Sequence, residues 1–470
     1  MINIKNTIII IVFIHLFTIP LFADVADYRV RTAIKLTPVF YPRDNTTWSL
    51  RSDGRVYFFA IRQADDVSGL YITGGPGGYQ PIAVVGDVAP EIIGATFQGI
   101  SSTWVGHEHG FTFAAYLEGN VNEDNNLAFY VGGVSSVAKL IYRKGDDVPN
   151  TNGYIFKYPP SEIKVNDAGD VLFMTTVFNP TTNDYIDVII FYQNNTMSLI
   201  ANEGVNQGVT GFALNPQSTI AYNTNDNGII KLMSGKLNNI QVIASVGDTI
   251  ATTSSPILHF NSFTFGKGDK LAFNTRLDPL FYAIYYDIDS NAPLVFQSSN
   301  NNDSLGSLSA DSNGKVTFLD GEHITSQQNG ELTTIASPLE QAPNMPNGVV
   351  FSDITHGLNS NEFRQVVFAA MLNSDNINTS NDFSLWIYDP NFGLQAIARE
   401  GSSIEIKPAD TRTISYITPY IRPESYQDGA NISFNRRGEI AFLVKFTDGE
   451  MAIVVGQIQP HEILFYNSFE

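Results

Sequence analysis

The octapeptide Asn435-Arg-Arg-Gly-Glu-Ile-Ala-Phe442 decides the fold. Its first half is turn chemistry: Asn bonds its own backbone, and Gly supplies a positive φ without steric cost. Its second half alternates apolar residues toward an aromatic, as a half-buried strand does. Related segments recur at 51–58, 107–113, 166–173, 215–222, 266–273, 311–318 and 359–368, the last read with two extra residues. They end on the aromatic anchors Phe58, Phe113, Phe173, Tyr222, Phe273, Phe318, Phe368 and Phe442. The chain is therefore an array of eight copies, each about 55 residues long.

A second element falls between the anchors, a strand ending in Gly plus an acid. It occupies 82–87, 140–146, 199–204, 242–248 and 396–401, and is degraded near 294–298 and 334–337. A third apolar run lies between the two, as at 69–73, 187–192 and 383–388. Each unit thus reads as four short strands. No 12-residue stretch keeps a helical 3.6-residue period free of Gly or Pro. In the last unit the strands fall at 432–434, 439–446 and 450–455, with Asp448-Gly449 as a hairpin turn. The fourth strand comes either from 462–466 or from 29–36 at the other end of the chain, which would close a ring.

Eight four-stranded units predict an all-β fold, a β-propeller whose blades pack radially through the anchors. A single four-stranded sheet cannot bury both faces, whereas stacking between neighbours does so and closing the ring removes exposed ends. Seven blades plus a terminal sheet is the alternative. A β-solenoid would repeat at a shorter period. No Pro- or Ser-rich linker divides the chain, so 24–460 reads as one propeller and 461–470 as a short tail or last strand.

Residues 1–23 read as a secretory signal peptide: one charge at Lys5, an apolar run over 8–17, a break at Pro20 and a small residue, Ala23, before Asp24. The run is shorter than the roughly 20 residues a spanning helix needs, and no later segment is apolar for 18 residues. The expectation is an exported protein of a bacterium (secreted, periplasmic or at the cell surface) with no transmembrane segment in the mature chain. The 470 residues carry 27 Lys and Arg against 47 Asp and Glu, a net charge of −20 that argues against nucleic acid as a partner. A hydrophobic share of 43 % excludes global disorder. With 0 Cys there are no disulfides, no thiol catalysis and no Cys-ligated metal.

The Asn-x-x-Gly-x-x-Ala-Phe anchors, cleanest at 435–442, together with the Ile397-Ala-Arg-Glu-Gly401 box, resemble the bacterial choice-of-anchor tandem repeat NxxGxxAF-containing proteins. The resemblance covers nearly the whole mature chain. It implies an exported, often surface-sorted repeat protein and carries no known activity.

Candidate chemistry is sparse. His107 and His109 flank Glu108, and alternate residues of a strand share a face, so the pair has the spacing of metal ligands. The same segment occupies the turn position of its sister repeats, which makes an exposed turn the plainer reading. Asp87, Asp146 and Asp248, with Glu203 and Glu400 nearby, recur at the end of the fourth strand. A circle of carboxylates there offers oxygen ligands to calcium. The plainer reading is that Gly-Asp caps a turn. Asn223-x-Asn225-x-Asn227-Gly228 and Asp287-x-Asp289-x-Asn291 echo half a calcium loop without its distal Glu. No Gly-x-Ser-x-Gly elbow, Ser-x-x-Lys pair or phosphate loop stands out. These residues predict a non-enzymatic binding or scaffold module for an extracellular protein or polysaccharide, without a required cofactor. The alternatives are a propeller enzyme of glycoside hydrolase or lyase type, with active loops near 120–126 or 403–429, and a calcium-stabilised structural module.

Overall fold

Branched and aromatic residues, punctuated by Gly, Asn and Asp turns, fold into 35 strands among the described residues. The computed structural model describes residues 27–459 apart from 36–39, 42–47, 65, 75–77, 107–109, 134–136, 203–208, 251–252, 279–280, 288–293, 299–304, 408, 419–427 and 429–432. The expected signal peptide, the tail at 461–470 and the alternative closing strand at 462–466 lie outside the described residues. The strands make eight antiparallel sheets, the blades of a β-propeller, numbered in chain order over residues 40–84, 95–143, 155–202, 209–245, 257–297, 305–336, 350–399 and 403–459, the last completed by 27–35. Blade 2 is typical: Ala95–Gly106, Gly110–Gly119, Leu127–Gly133 and Lys139–Arg143 follow one another outward. First strands of successive blades touch, as Ile257–Phe265 touches Leu305–Ala310, so the first strands surround the axis.

The first and last described strands meet in blade 8. Asp410–Thr418, Glu439–Phe446 and Met451–Gln459 supply three strands, and Asp27–Lys35 adds the outermost, paired from Asp27 opposite Gln459 to Lys35 opposite Ala452 with a bulge between Val30 and Thr32. Of the two closures left open by sequence, the N-terminal strand is the one formed. The first strand of this blade differs from expectation. The partner of Glu439–Phe446 is Asp410–Thr418, and Phe434 adds one isolated bridge to Ile440. Part of the irregular stretch 403–429 is thus a hairpin of Ser403–Lys407 with Asp410–Thr418.

The seventh repeat is also corrected. Its turn begins at Asn361, with Asn361 N–H bonded to Gln365 O and Arg364 N–H to Asn361 O, so 361–368 matches the octad with no extra residue. Arg364 takes the Gly position and its left-handed backbone, at φ 63°. Likewise the degraded box of blade 6 is intact as Leu339-Glu340: Leu339 sits at φ 64° where Gly86, Gly145 and Gly247 stand elsewhere.

The Ala-Phe pair has a positional reason. Successive strand residues face opposite sides of a sheet. Each anchor turns toward the preceding blade: Phe113 packs with Tyr57 and Leu70 of blade 1, Phe318 with Ala272 and Ile284 of blade 5, and Phe442 with Val367 and Leu385 of blade 7. Phe58 packs with Ala441, Leu443 and Ile453 of blade 8, closing the ring. The residue before the anchor turns toward the next blade, and Ala there (Ala221, Ala272, Ala441) leaves room for that blade's large side chains. Seven of the eight anchors are fully buried, with Tyr222 slightly less so. Each buried ring contributes about 1.5–3 kcal/mol.

Candidate functional site

Antiparallel order gives the propeller two unlike faces. One, called lower here, carries the turns between strands one and two and the hairpins between three and four. The upper face carries the loops between blades and the hairpins between strands two and three.

On the lower face the repeat's Asn residues link one blade to the next at four junctions among the described residues, 3–4, 4–5, 7–8 and 8–1. The Oδ1 atom of Asn435 accepts from Arg437 N–H at 2.9 Å and Glu439 N–H at 3.0 Å, shaping its own turn. Its Nδ2 donates to the Arg51 carbonyl of blade 1 at 2.8 Å. Asn166 donates in the same way to Asn215 O at 3.2 Å, Asn215 to Gly268 O at 3.1 Å, and Asn361 to Asn435 O at 3.1 Å. The side chains are almost wholly buried, so these bonds form away from competing water.

Blade 6 breaks the pattern, because Asp311 stands where the Asn belongs. Its Oδ1 caps the turn, accepting from Asn313 N–H at 2.8 Å and Lys315 N–H at 2.9 Å. Its Oδ2 is buried and has no hydrogen-bond partner among the described residues. Burial pushes the Asp311 carboxyl above its usual range, against the two turn N–H bonds and the charges of Lys315 and Arg364. Lys315, also buried, is pushed down to about 8 by desolvation, with Asp311 opposing. Its Nζ donates to Arg364 O of blade 7 at 3.1 Å.

Blade 8 also reaches blades that are not its neighbours. Arg436 pairs with Asp167 of blade 3 at 2.6 Å. Asp428 is 2 % exposed and accepts from Thr264 Oγ1 at 2.7 Å and Phe265 N–H at 2.8 Å, both of blade 5. The chain's own polar groups thus bridge the middle of the ring. Beside them, between blades 5 and 6, lies a cavity of about 1170 Å³ lined by Lys267, Lys270, Tyr286, Asp287, Asn313 and Gln327, with Lys270 paired to Asp287 at 2.6 Å.

On the upper face the predicted acids are kept apart, one to a loop. Asp87 Oδ2 accepts from Val84 N–H at 3.1 Å, Asp146 Oδ2 from Arg143 N–H at 2.7 Å, and Asp248 Oδ2 from Ser245 N–H at 2.7 Å. Each closes its own turn. Glu400 accepts from Ile417 N–H at 3.2 Å, and burial raises its carboxyl. His107, His109 and Glu203 lie outside the described residues. Asn225 Oδ1 closes a hairpin through Gly228 N–H at 2.9 Å; Asp289 and Asn291 are likewise not described. Among the described residues no three His, Asp or Glu side chains gather to hold a metal. No helix there is long and apolar enough to cross a membrane.

The upper face has a group that the sequence did not single out. Pairing sets Phe178 opposite both Ile155 and Tyr185, which brings Lys157 and Tyr158 beside them in blade 3. The Lys157 ammonium lies 4.0 Å from the Phe178 ring centre, 4.9 Å from that of Tyr185 and 5.9 Å from that of Tyr158, and donates to Tyr185 Oη at 2.8 Å. That hydrogen bond holds the Tyr185 hydroxyl below its usual range. The exposed side chains of Val88, Ile93, Tyr116, Ile229, Leu258, Leu339 and Tyr416 are on the same face, whereas Val137, Leu332 and Phe363 are exposed on the lower one.

A family of unknown function, DUF7453, matches residues 43–206 and 297–459, together more than half of the chain. The chain belongs to this family. The two matches span blades 1–3 and blades 6–8, leaving blades 4 and 5 between them. No curated protein matches the sequence. Among solved structures, Porphyromonas gingivalis dipeptidyl peptidase 4 is similar at 11 % identity and a TM-score of 0.52, over 88 % of this chain and 58 % of its own. The chain therefore spans less than two thirds of that peptidase. Oligogalacturonate lyase from Vibrio parahaemolyticus follows at 11 % identity and a TM-score of 0.39, over 92 % of this chain and 97 % of its own. The β-propeller domain of the Trilobed protease from Pyrococcus furiosus is similar at 12 % identity and a TM-score of 0.36, over 64 % and 82 %. At these identities the likeness is one of fold.

Proposed function

We propose that the protein is an exported, non-enzymatic binding module that engages an extracellular protein or polysaccharide with its upper face. The observation that carries this reading is the unequal distribution of exposed apolar side chains. Ile93 is 91 % exposed, and Tyr116, Tyr158, Tyr185, Leu258 and Tyr416 are each more than 40 % exposed, all on the upper face. Apolar surface gathered on one face marks an interaction site more often than apolar residues scattered singly. The Asn, Asp and Arg groups on the lower face are engaged in holding blades together. Export rests on the reading of residues 1–23, and surface display on the resemblance to the NxxGxxAF repeat proteins.

The test is a binding screen against immobilised extracellular polysaccharides and bacterial surface proteins. It compares the mature protein with an Ile93→Ser/Tyr158→Ser/Leu258→Ser variant and a lower-face Val137→Ser/Phe363→Ser control. The reading expects binding that the first variant loses and the control keeps. Equal loss in both, or binding untouched by the first, would reject the upper face.

A further inference from the structure

Three aromatic rings and one ammonium on the edge of blade 3 form a cation cage. Rings attract a cation through their negative faces when it lies within about 6 Å of the centroid. Phe178, Tyr185 and Tyr158 all meet that distance around Lys157 Nζ. Phe178 and Tyr185 are 4.8 Å apart, and Tyr158 and Tyr185 6.3 Å, so the three walls belong to one recess. Tyr158 and Tyr185 are 43 % and 47 % exposed, which leaves the cage open to solvent.

We propose that this cage is a binding site for the alkyl- or quaternary ammonium group of a ligand, which Lys157 occupies as a tethered stand-in. The ammonium already there shows that the walls suit a cation of that size. Lys157 hangs on a flexible four-carbon stem and among the described residues makes a single hydrogen bond, to Tyr185 Oη, so beyond the rings themselves little holds it in place. A quaternary ammonium has no N–H, needs no acceptor and touches the rings over a larger area. The net charge of −20 favours a cationic ligand over an anionic one. The inference concerns a small cation and stands whether or not the upper face binds a macromolecule.

The test is titration with choline, followed by the NMR shifts of the tyrosine rings, on the mature protein, Lys157→Ala and Lys157→Ala/Tyr185→Ala. Removing the tethered competitor is expected to tighten choline binding about five-fold, the factor that a surface cation–π contact of about 1 kcal/mol corresponds to. Removing Tyr185 as well should abolish it, while thermal melts show all three proteins folded. No choline binding by a folded Lys157→Ala variant, or affinity equal to that of the parent, overturns the proposal. A parallel titration with glucuronate covers the opposite chemistry. Binding by the parent that Lys157→Ala loses would make Lys157 an anion contact and also overturn the cage.

Discussion

Replacing Asp311 by Asn should stabilise the protein at neutral pH and remove a pH dependence from it. Asp311 Oδ2 is buried and unpartnered in the one described blade where Asp holds the position that Asn holds in blades 3, 4, 7 and 8. In those blades the equivalent Nδ2 donates to a backbone carbonyl of the next turn, and at blade 6 the corresponding carbonyl is that of Asn361. A buried polar atom left unsatisfied costs about 1–3 kcal/mol. The substitution also removes a negative charge that favours the buried ammonium of Lys315, which offsets part of the gain. Lys315 keeps its own acceptor, Arg364 O, so the net gain expected at pH 7 is about 1 kcal/mol.

The pH dependence follows from the direction of the shift. The Asp311 carboxyl is raised above its ordinary 3.8 by burial, with Lys315, Arg364 and the nearby Tyr286 as the ionisable groups that face it. A carboxyl that holds its proton more tightly when folded contributes its full stability below the unfolded value. It loses that contribution as pH climbs through the raised folded value. Parent and Asp311→Asn proteins should therefore be about equally stable near pH 3.5 and separate as pH rises. Equilibrium urea denaturation from pH 3.5 to 8 measures the gap. A gap that is constant with pH, or an Asn variant less stable than the parent at pH 7, would refute the reasoning and make the attraction to Lys315 the dominant effect.

Other substitutions test the same packing rules. Leu339→Gly should stabilise by about 1 kcal/mol in urea melts, because an L-residue in the left-handed region costs about 1–2 kcal/mol and Leu339 is 79 % exposed at φ 64°. Asn435→Ala removes two turn bonds, the link to blade 1 and a bond to the buried Glu439 carboxylate and should cost about 4 kcal/mol at about 1 kcal/mol per bond; hydrogen exchange should then speed up in blades 8 and 1 before the others. Millimolar calcium should leave the thermal melt where it is in EDTA, because Asp87, Asp146 and Asp248 spend their Oδ2 atoms on separate turns. A site filled to 100 times its dissociation constant would add about 2.7 kcal/mol, a shift that the melt would reveal.

The number of blades was legible because turn chemistry and anchor both lie within eight residues, as at 435–442. Where one residue substitutes for another in the same backbone shape, the local signal is lost. Arg364 in the Gly position of blade 7 moved the apparent turn to Asn359, and Leu339 in place of Gly hid a box that the backbone keeps. The strand Asp410–Thr418 was passed over because a long insertion separates it from the octad it pairs with. Contacts between distant blades had no local signal at all: Arg436 and Asp167 are 269 positions apart. The Lys157 cage was out of reach for the same reason, since strand pairing assembles it from three stretches of blade 3. Its one trace in the sequence is the Lys157-Tyr158-Pro159-Pro160 break between Ile155–Phe156 and Glu162–Val165.

The central claim, that the upper face is the one that meets a partner, is tested most directly by photo-cross-linking in the producing cells. A benzophenone amino acid replaces Tyr158 on the upper face in one strain and Phe363, comparably exposed on the lower face, in the other. The account predicts a discrete cross-linked product from position 158 and none from position 363. A product from position 363 alone, or identical products from both, would contradict it.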